Sequence, residues 1–112
     1  MSTPRAPVHL GESTRHWWRQ VAAAYVLEGH HLKLLTLAAE AWDRCQQARE
    51  ALAEHGLTFV DRFGQPHARP EAAIERDSRL AFARLVRELD LDTEPPTSPT
   101  RPPPLSSNRQ GR

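Results

Sequence analysis

From Leu35 to Leu52 apolar residues recur at spacings of three and four, and Leu35, Ala38, Trp42, Cys45, Ala48 and Leu52 draw one stripe along a helix. The segment His30 to His55 around them contains no Gly or Pro. Ala, Leu, Glu, Gln and Arg dominate it, the residues that lose least free energy on entering a helix. Gly56 follows, where a left-handed cap is expected. The pattern predicts a single helix about 39 Å long at 1.5 Å per residue. Its other side carries Lys33, Glu40, Asp43, Gln47, Glu50 and Glu54, a net negative surface suited to water or a polar partner and ill suited to DNA.

The flanking segments organise around that helix. Residues 1–10 contain Pro4 and Pro7 and show no periodicity, so they read as a flexible N-terminal arm. A first helix is expected from Gly11–Ser13 to Tyr25–Val26, with Ser13 as its cap and Trp18, Val21, Ala22 and Tyr25 as its buried face. Trp17 lies 100° from Trp18 on that helix and packs under the arm or stands at a subunit interface. Leu27, Glu28 and Gly29 make a short connection, which favours an antiparallel return.

After Gly56 the character changes. Leu57 to Val60 favour an extended chain, Asp61 to Gly64 offer turn chemistry, and Gln65 to Arg69 return. This is a short hairpin or hairpin-like loop, too small to make a sheet of its own. Pro70 suits the first turn of a third helix, and Glu71 beside it complements the helix dipole. That helix is expected to run to Leu89 and to bury Ile74, Ala81, Leu85 and Leu89, flanked by Phe82 and Val86, with Ser78 in the same row. Glu75 and Arg79 form a favourable pair one turn apart on its charged side.

Six of the ten prolines fall after Thr93, in TEPPTSPTRPPPLSSNRQGR. Such a composition predicts a disordered tail, locally polyproline II. The expected fold is all-α: a helical hairpin, a short β-hairpin-like connection and a third helix, with the folded domain at 11–92 and the tail at 93–112.

Charge adds to this picture through its distribution. The chain carries a net +1. Residues 1–27 contribute +2, 57–70 contribute +1 and 93–112 contribute +2, whereas 28–56 and 71–92 each contribute −2. The two ends and the hairpin are basic and the long helices acidic. Solvated termini often look this way, and so do ends that touch nucleic acid. A core from fewer than about 90 folded residues is marginal alone, so self-association is expected.

The candidate chemistry is sparse. Cys45, the one cysteine, sits on the apolar stripe and reads as a buried, inert thiol. No two of the six histidines are three or four residues apart, the adjacent His30 and His31 diverge by 100° on a helix, and no metal is expected. The five glycines are explained by helix ends, a turn and the tail, so there is no phosphate-binding loop. Ser13, Ser78 and Cys45 lack a local base. Neither enzyme activity nor a cofactor is expected. No run of 18 apolar residues and no signal-peptide core is present, which predicts a soluble intracellular protein with no membrane partner.

With this order of elements in view, the chain resembles the small subunit of a phage terminase, of the short helical family with two N-terminal helices, a Gly-bounded hairpin and a third helix. The resemblance rests on Trp18, on LKLLTLAAEAWDRCQQAREALAEHGLTFVDRFGQ from Leu32 to Gln65, and on RPEAAIERDSRLAFARLVRELDLD from Arg69 to Asp92. No single motif is diagnostic; the combination carries it. Members often have His-Pro before the third helix, where this chain has Arg69-Pro70 with His67 two residues earlier. That departure keeps the helix start and puts any role of the histidine in doubt.

The resemblance implies a non-catalytic DNA-packaging factor in the cytoplasm of the bacterial host. Such a factor assembles into a ring, binds double-stranded viral DNA and brings it to a large subunit that holds the ATPase and nuclease. A ring multiplies each contact, so a few Arg per chain suffice by avidity. The expected phosphate contacts are Arg5, Arg15 and Arg19, then Arg62 and Arg69, and the expected oligomer interface comprises Trp17, Trp42, Phe59 and Phe63. The Pro-rich tail is the natural tether to the large subunit or the portal. Two other readings fit the residues: a small helical protein–protein adaptor, and a helix-turn-helix DNA-binding repressor. Against the repressor, the second helix is longer than a reading helix needs and its exposed side is acidic.

Overall fold

The structure is a computed structural model that describes residues 4–91. Residues 1–3 and 92–112, and with them the expected tail, lie outside the described residues. Three helices and one hairpin follow in the order α1 (Glu12–Ala24), α2 (Gly29–His55), β1 (Thr58–Val60), β2 (Pro66–Ala68) and α3 (Pro70–Leu89). The mostly helical fold has the element order that the periodicity predicts.

Helix α2 is the spine. It opens on a capping box in which the Glu28 carboxylate accepts the His31 N–H and His31 Nδ1 accepts the Glu28 N–H at 3.1 Å. It closes at Gly56, whose φ of 86° and ψ of 178° belong to a region that only glycine enters without strain. Helix α3 runs back antiparallel along it, with Trp42 against Phe82 near one end and Cys45 and Arg49 against Glu75 further along. Pro70 stands at the start of α3, and Asp90, in the left-handed conformation with φ 59°, ends it.

The core collects where α1 crosses these two helices. Leu10, Trp18, Val21, Leu35, Ala39 and Leu89 are buried together, and Leu35 and Ala39 are fully enclosed. Trp18 also donates its indole N–H to Thr36 Oγ1 at 3.2 Å, so the buried ring keeps its polar atom satisfied. The arm expected over residues 1–10 joins the fold before α1 begins. Leu10 is in the core, Arg15 donates to the carbonyls of Val8 and Leu10 at 3.1 and 3.0 Å, and His9 Nε2 donates to Glu40 at 2.8 Å.

Several expected faces are corrected. Helix α1 has Gly11 at its N-cap, and Ser13 makes no cap hydrogen bond. Asp43 of α2 does that work: Oδ2 accepts the Gly11 N–H at 2.8 Å and Oδ1 accepts the Thr14 hydroxyl at 2.5 Å. Asp43 therefore faces a neighbouring helix and brings negative charge to the positive end of α1. Tyr25 is exposed and caps α1 at its other end, where its hydroxyl donates to the Leu91 carbonyl. Trp42, expected at the heart of the α2 stripe, is 38% exposed.

Helix α3 is turned by roughly 50° from the expected orientation, at about 100° per residue. Ile74 and Ala81 are exposed, while Ser78 and Leu89 are buried and Phe82 and Glu75 are partly so. The turn brings Glu75 to Arg49 at 3.1 Å, with Arg79 at 3.3 Å on its other side. Arg49, then Arg79, hold the Glu75 carboxyl below its usual range against the opposing effect of partial burial. Ser78 returns its hydroxyl to the Ile74 carbonyl at 2.6 Å, so a small polar residue sits at the helix contact without an orphaned group.

Cys45 is 2% exposed and its thiol donates to Glu75 at 3.7 Å. Burial pushes the thiol up from its ordinary value, with Arg49 opposing. Labelling of Cys45 by a thiol reagent is therefore expected to require global opening and to run at least about 10³-fold slower than in denaturant, the factor set by a folding free energy near 5 kcal/mol. Equal rates in buffer and denaturant would contradict this.

Candidate nucleic-acid interface

The hairpin stands apart from the core. Every residue of β1 and β2 is exposed. The strands pair antiparallel in the register Thr58 to Ala68, Phe59 to His67 and Val60 to Pro66, and the Arg69 N–H donates to the Leu57 carbonyl at 2.9 Å to close the base. Two three-residue strands cannot hold themselves together by packing. The turn supplies what packing does not.

Asp61 organises that turn. Its Oδ1 accepts the N–H groups of Phe63 and Gln65 at 2.8 and 2.9 Å, its Oδ2 accepts His67 Nε2 at 2.8 Å, and its own N–H donates to the Gln65 carbonyl at 3.0 Å. Gly64, with φ 82°, takes the position that needs a left-handed residue. The Gln65 N–H, then His67 and the Phe63 N–H, hold the Asp61 carboxyl below the usual aspartate range. In the sequence Asp61 is recognisable only as a turn residue. Asp followed by Gly three positions later is the type I turn signal, but His67 as a partner across the hairpin follows only from the register.

A pH dependence follows. A carboxyl that titrates lower in the folded state than in the unfolded one contributes its stabilisation above the unfolded value and loses it as pH falls through the folded one. The protection of the Phe63 and Gln65 amides, taken relative to the intrinsic exchange rate at the same pH, is therefore expected to fall below the ordinary aspartate range, while core amides stay protected. Asp61→Asn is expected to show the lowered protection already at pH 7. Protection in D61N equal to that of the parent would remove Asp61 as the organiser.

Basic and aromatic side chains pair on this hairpin. The Arg62 guanidinium lies 5.0 Å from the centroid of Phe63, and Arg69 lies 5.8 Å from that of Phe59. The Phe59 ring stacks on His67 at 5.3 Å and 24°. Leu57, Val60 and Phe63 are 65%, 65% and 73% exposed, an apolar surface that no other described residue covers. Arg69 Nε is enclosed and has no acceptor among the described residues.

The expected phosphate contacts fall into two groups that the fold keeps apart. Arg62 lies in the turn of the hairpin and Arg69 at its base, beyond the end of α2. Arg15 and Arg19 are on α1, and Arg5 precedes it, near the middle of α2 where Asp43 caps α1. From Asp43 to Gly56 along α2 is about 20 Å at 1.5 Å per residue. Arg5 and Arg19 are exposed, and neither takes part in an ion pair among the described residues. The Arg15 guanidinium is occupied by the Val8 and Leu10 carbonyls.

The four expected interface aromatics also divide. Phe59 and Phe63 are on the exposed hairpin, whereas Trp17 and Trp42 both pack on Phe82 within the chain, at 5.8 and 5.1 Å between centroids.

Glu28, His30 and His31 do come together, with ligand-type atoms within 4.8 Å of one another and the two imidazoles 4.1 Å apart. The expected divergence of the adjacent histidines is overturned because His31 folds back to cap Glu28. Two of the three groups are engaged in that capping box, and the positive end of the α2 dipole disfavours a cation there. The cluster is accounted for as a helix start.

A family model described as "Phage terminase, small subunit" matches residues 15–98. No curated protein and no solved structure matches the chain. The match spans α1 almost from its start, all of α2, the hairpin and α3, and so includes Arg15, Arg19, Arg62 and Arg69.

Proposed function

The chain belongs to the phage terminase small-subunit family, whose role is phage DNA packaging, and from that premise we propose that it works as a homo-oligomer that binds double-stranded viral DNA and delivers it to the large terminase subunit. It does so without catalysis of its own, in the cytoplasm of the bacterial host, and the large subunit supplies the ATPase and nuclease. No helix among the described residues is long and apolar enough to cross a membrane. The tail at 93–112 serves as the tether to the large subunit or the portal.

One observation carries this reading: a hairpin whose two strands are exposed and whose apolar residues no other described residue covers, beside two arginines. An apolar hairpin left in water is costly, and a second copy is the nearest source of cover. Phe59, Val60 and Phe63 then bury against a neighbouring subunit. Arg62 and Arg69 are carried on the same element, so assembly repeats them at every interface and turns weak phosphate contacts into avid ones. Arg5 and Arg19 extend the contact from the α1 side. Arg15 serves the arm first.

The test is the native mass of the full chain, followed by titration with duplex DNA at low and moderate salt. A closed ring of many copies that binds duplex with a steep salt dependence is the expected result. A monomer at every concentration, or a ring indifferent to DNA at 50 mM salt, would overturn the proposal.

A further inference from the structure

Beside the core, a cleft of about 290 Å³ opens between all three helices, lined by Ser13, Thr14, Trp17, Trp42 and Phe82. Three aromatic rings form its walls, none fully buried, and exposed Ser13 and buried Thr14, whose hydroxyl is held by Asp43, complete the lining. We propose that the cleft binds the chain's own proline-rich segment, Pro99 to Pro104, folded back in the polyproline II conformation.

The chemistry fits at both ends. Aromatic-lined grooves recognise polyproline because proline rings stack flat on indole and phenyl faces, and because the segment is already extended and loses little entropy on docking. At about 290 Å³ the cleft has room for a few such rings. Glu12, exposed beside Ser13 and in no ion pair among the described residues, offers Arg101 a partner next to Pro102.

The reach fits too. Asp90, in the left-handed conformation, breaks α3, and the Tyr25 hydroxyl holds the Leu91 carbonyl against the end of α1. From that anchor back along α1, Tyr25 to Trp17 is about 12 Å and Tyr25 to Ser13 about 18 Å at 1.5 Å per residue. At about 3.1 Å per residue in polyproline II, the six residues 92–97 supply enough length to cover that distance within one molecule.

The three tryptophans provide the readout, because Trp18 is buried and hydrogen-bonded to Thr36 away from the cleft and serves as an internal reference. Indole N–H signals of the full chain are compared by NMR with those of the P102G/P103G/P104G variant, which removes the rings and the extended preference together. The substitutions lie outside the folded helices. The expected result is that the Trp17 and Trp42 signals shift while Trp18 stays, equally at high and low protein concentration. Three unchanged signals would overturn the proposal. Trp17 and Trp42 signals that respond to dilution but not to the proline substitutions would also overturn it and would assign the cleft to a subunit interface.

Discussion

Replacing Asp43 with alanine is expected to destabilise the fold by about 3 kcal/mol, measured as a shift of the urea midpoint at unchanged slope. Hydrogen bonds to a charged acceptor contribute about 1.5–3 kcal/mol each, and Asp43 accepts two, from the Gly11 N–H and the Thr14 hydroxyl. Thr14 is 3% exposed, so its hydroxyl loses its partner where water has little access. The same change removes a negative charge from the start of α1 and loosens the Leu10 segment that enters the core there. Asp43→Asn keeps an acceptor for one of the two donors and is expected to lose roughly half as much. A loss under about 1 kcal/mol in D43A would mean that packing of Trp18 and Val21 alone docks α1.

The second large effect concerns DNA. Each phosphate contact to duplex contributes about 0.9 to the slope of log affinity against log salt, so a chain without Arg62 and Arg69 is expected to show a slope smaller by about 1.8. Between 50 and 200 mM salt, that difference amounts to about tenfold in affinity for each subunit that engages. Over several subunits it separates a binder from a non-binder. The R62A/R69A pair is the variant to compare, with native mass as the control for assembly. The R62K/R69K pair keeps the charges and is expected to keep most of the slope, since Lys binds phosphate as a point charge. An unchanged slope in R62A/R69A would place the phosphate contacts on Arg5 and Arg19.

Much of this architecture was legible in the residues. The unbroken run before Gly56 predicts α2 to within one residue of its observed start and at its observed end, because local propensity and a glycine-only backbone conformation agree. Pro70 and the LVRELDL ending delimit α3 in the same way. The hairpin follows from a β-favouring run before Asp61 and a glycine at 64. Cys45 on the stripe is buried as expected. Each of these depends on interactions within a few residues of chain, and periodicity records such interactions directly.

What only the tertiary structure decided involves residues about 26 or more apart. Asp43 lies on the polar side of its own helix and looks solvated there, until the first turn of α1 arrives with donors that need an acceptor. The α3 stripe is centred by its sequence on Ile74 and Ala81, yet the helix settles rotated, because Arg49 draws Glu75 in and Ser78 is small enough for close approach. Trp17 and Trp42, on different helices, are brought together only by Phe82, which packs against both. The sequence by itself determined which segments are helix and hairpin, since a helix chooses its residues locally. Only the tertiary structure decided which face of each helix turns inward and what its polar groups hold, since one residue's partner is set by the docking of another segment.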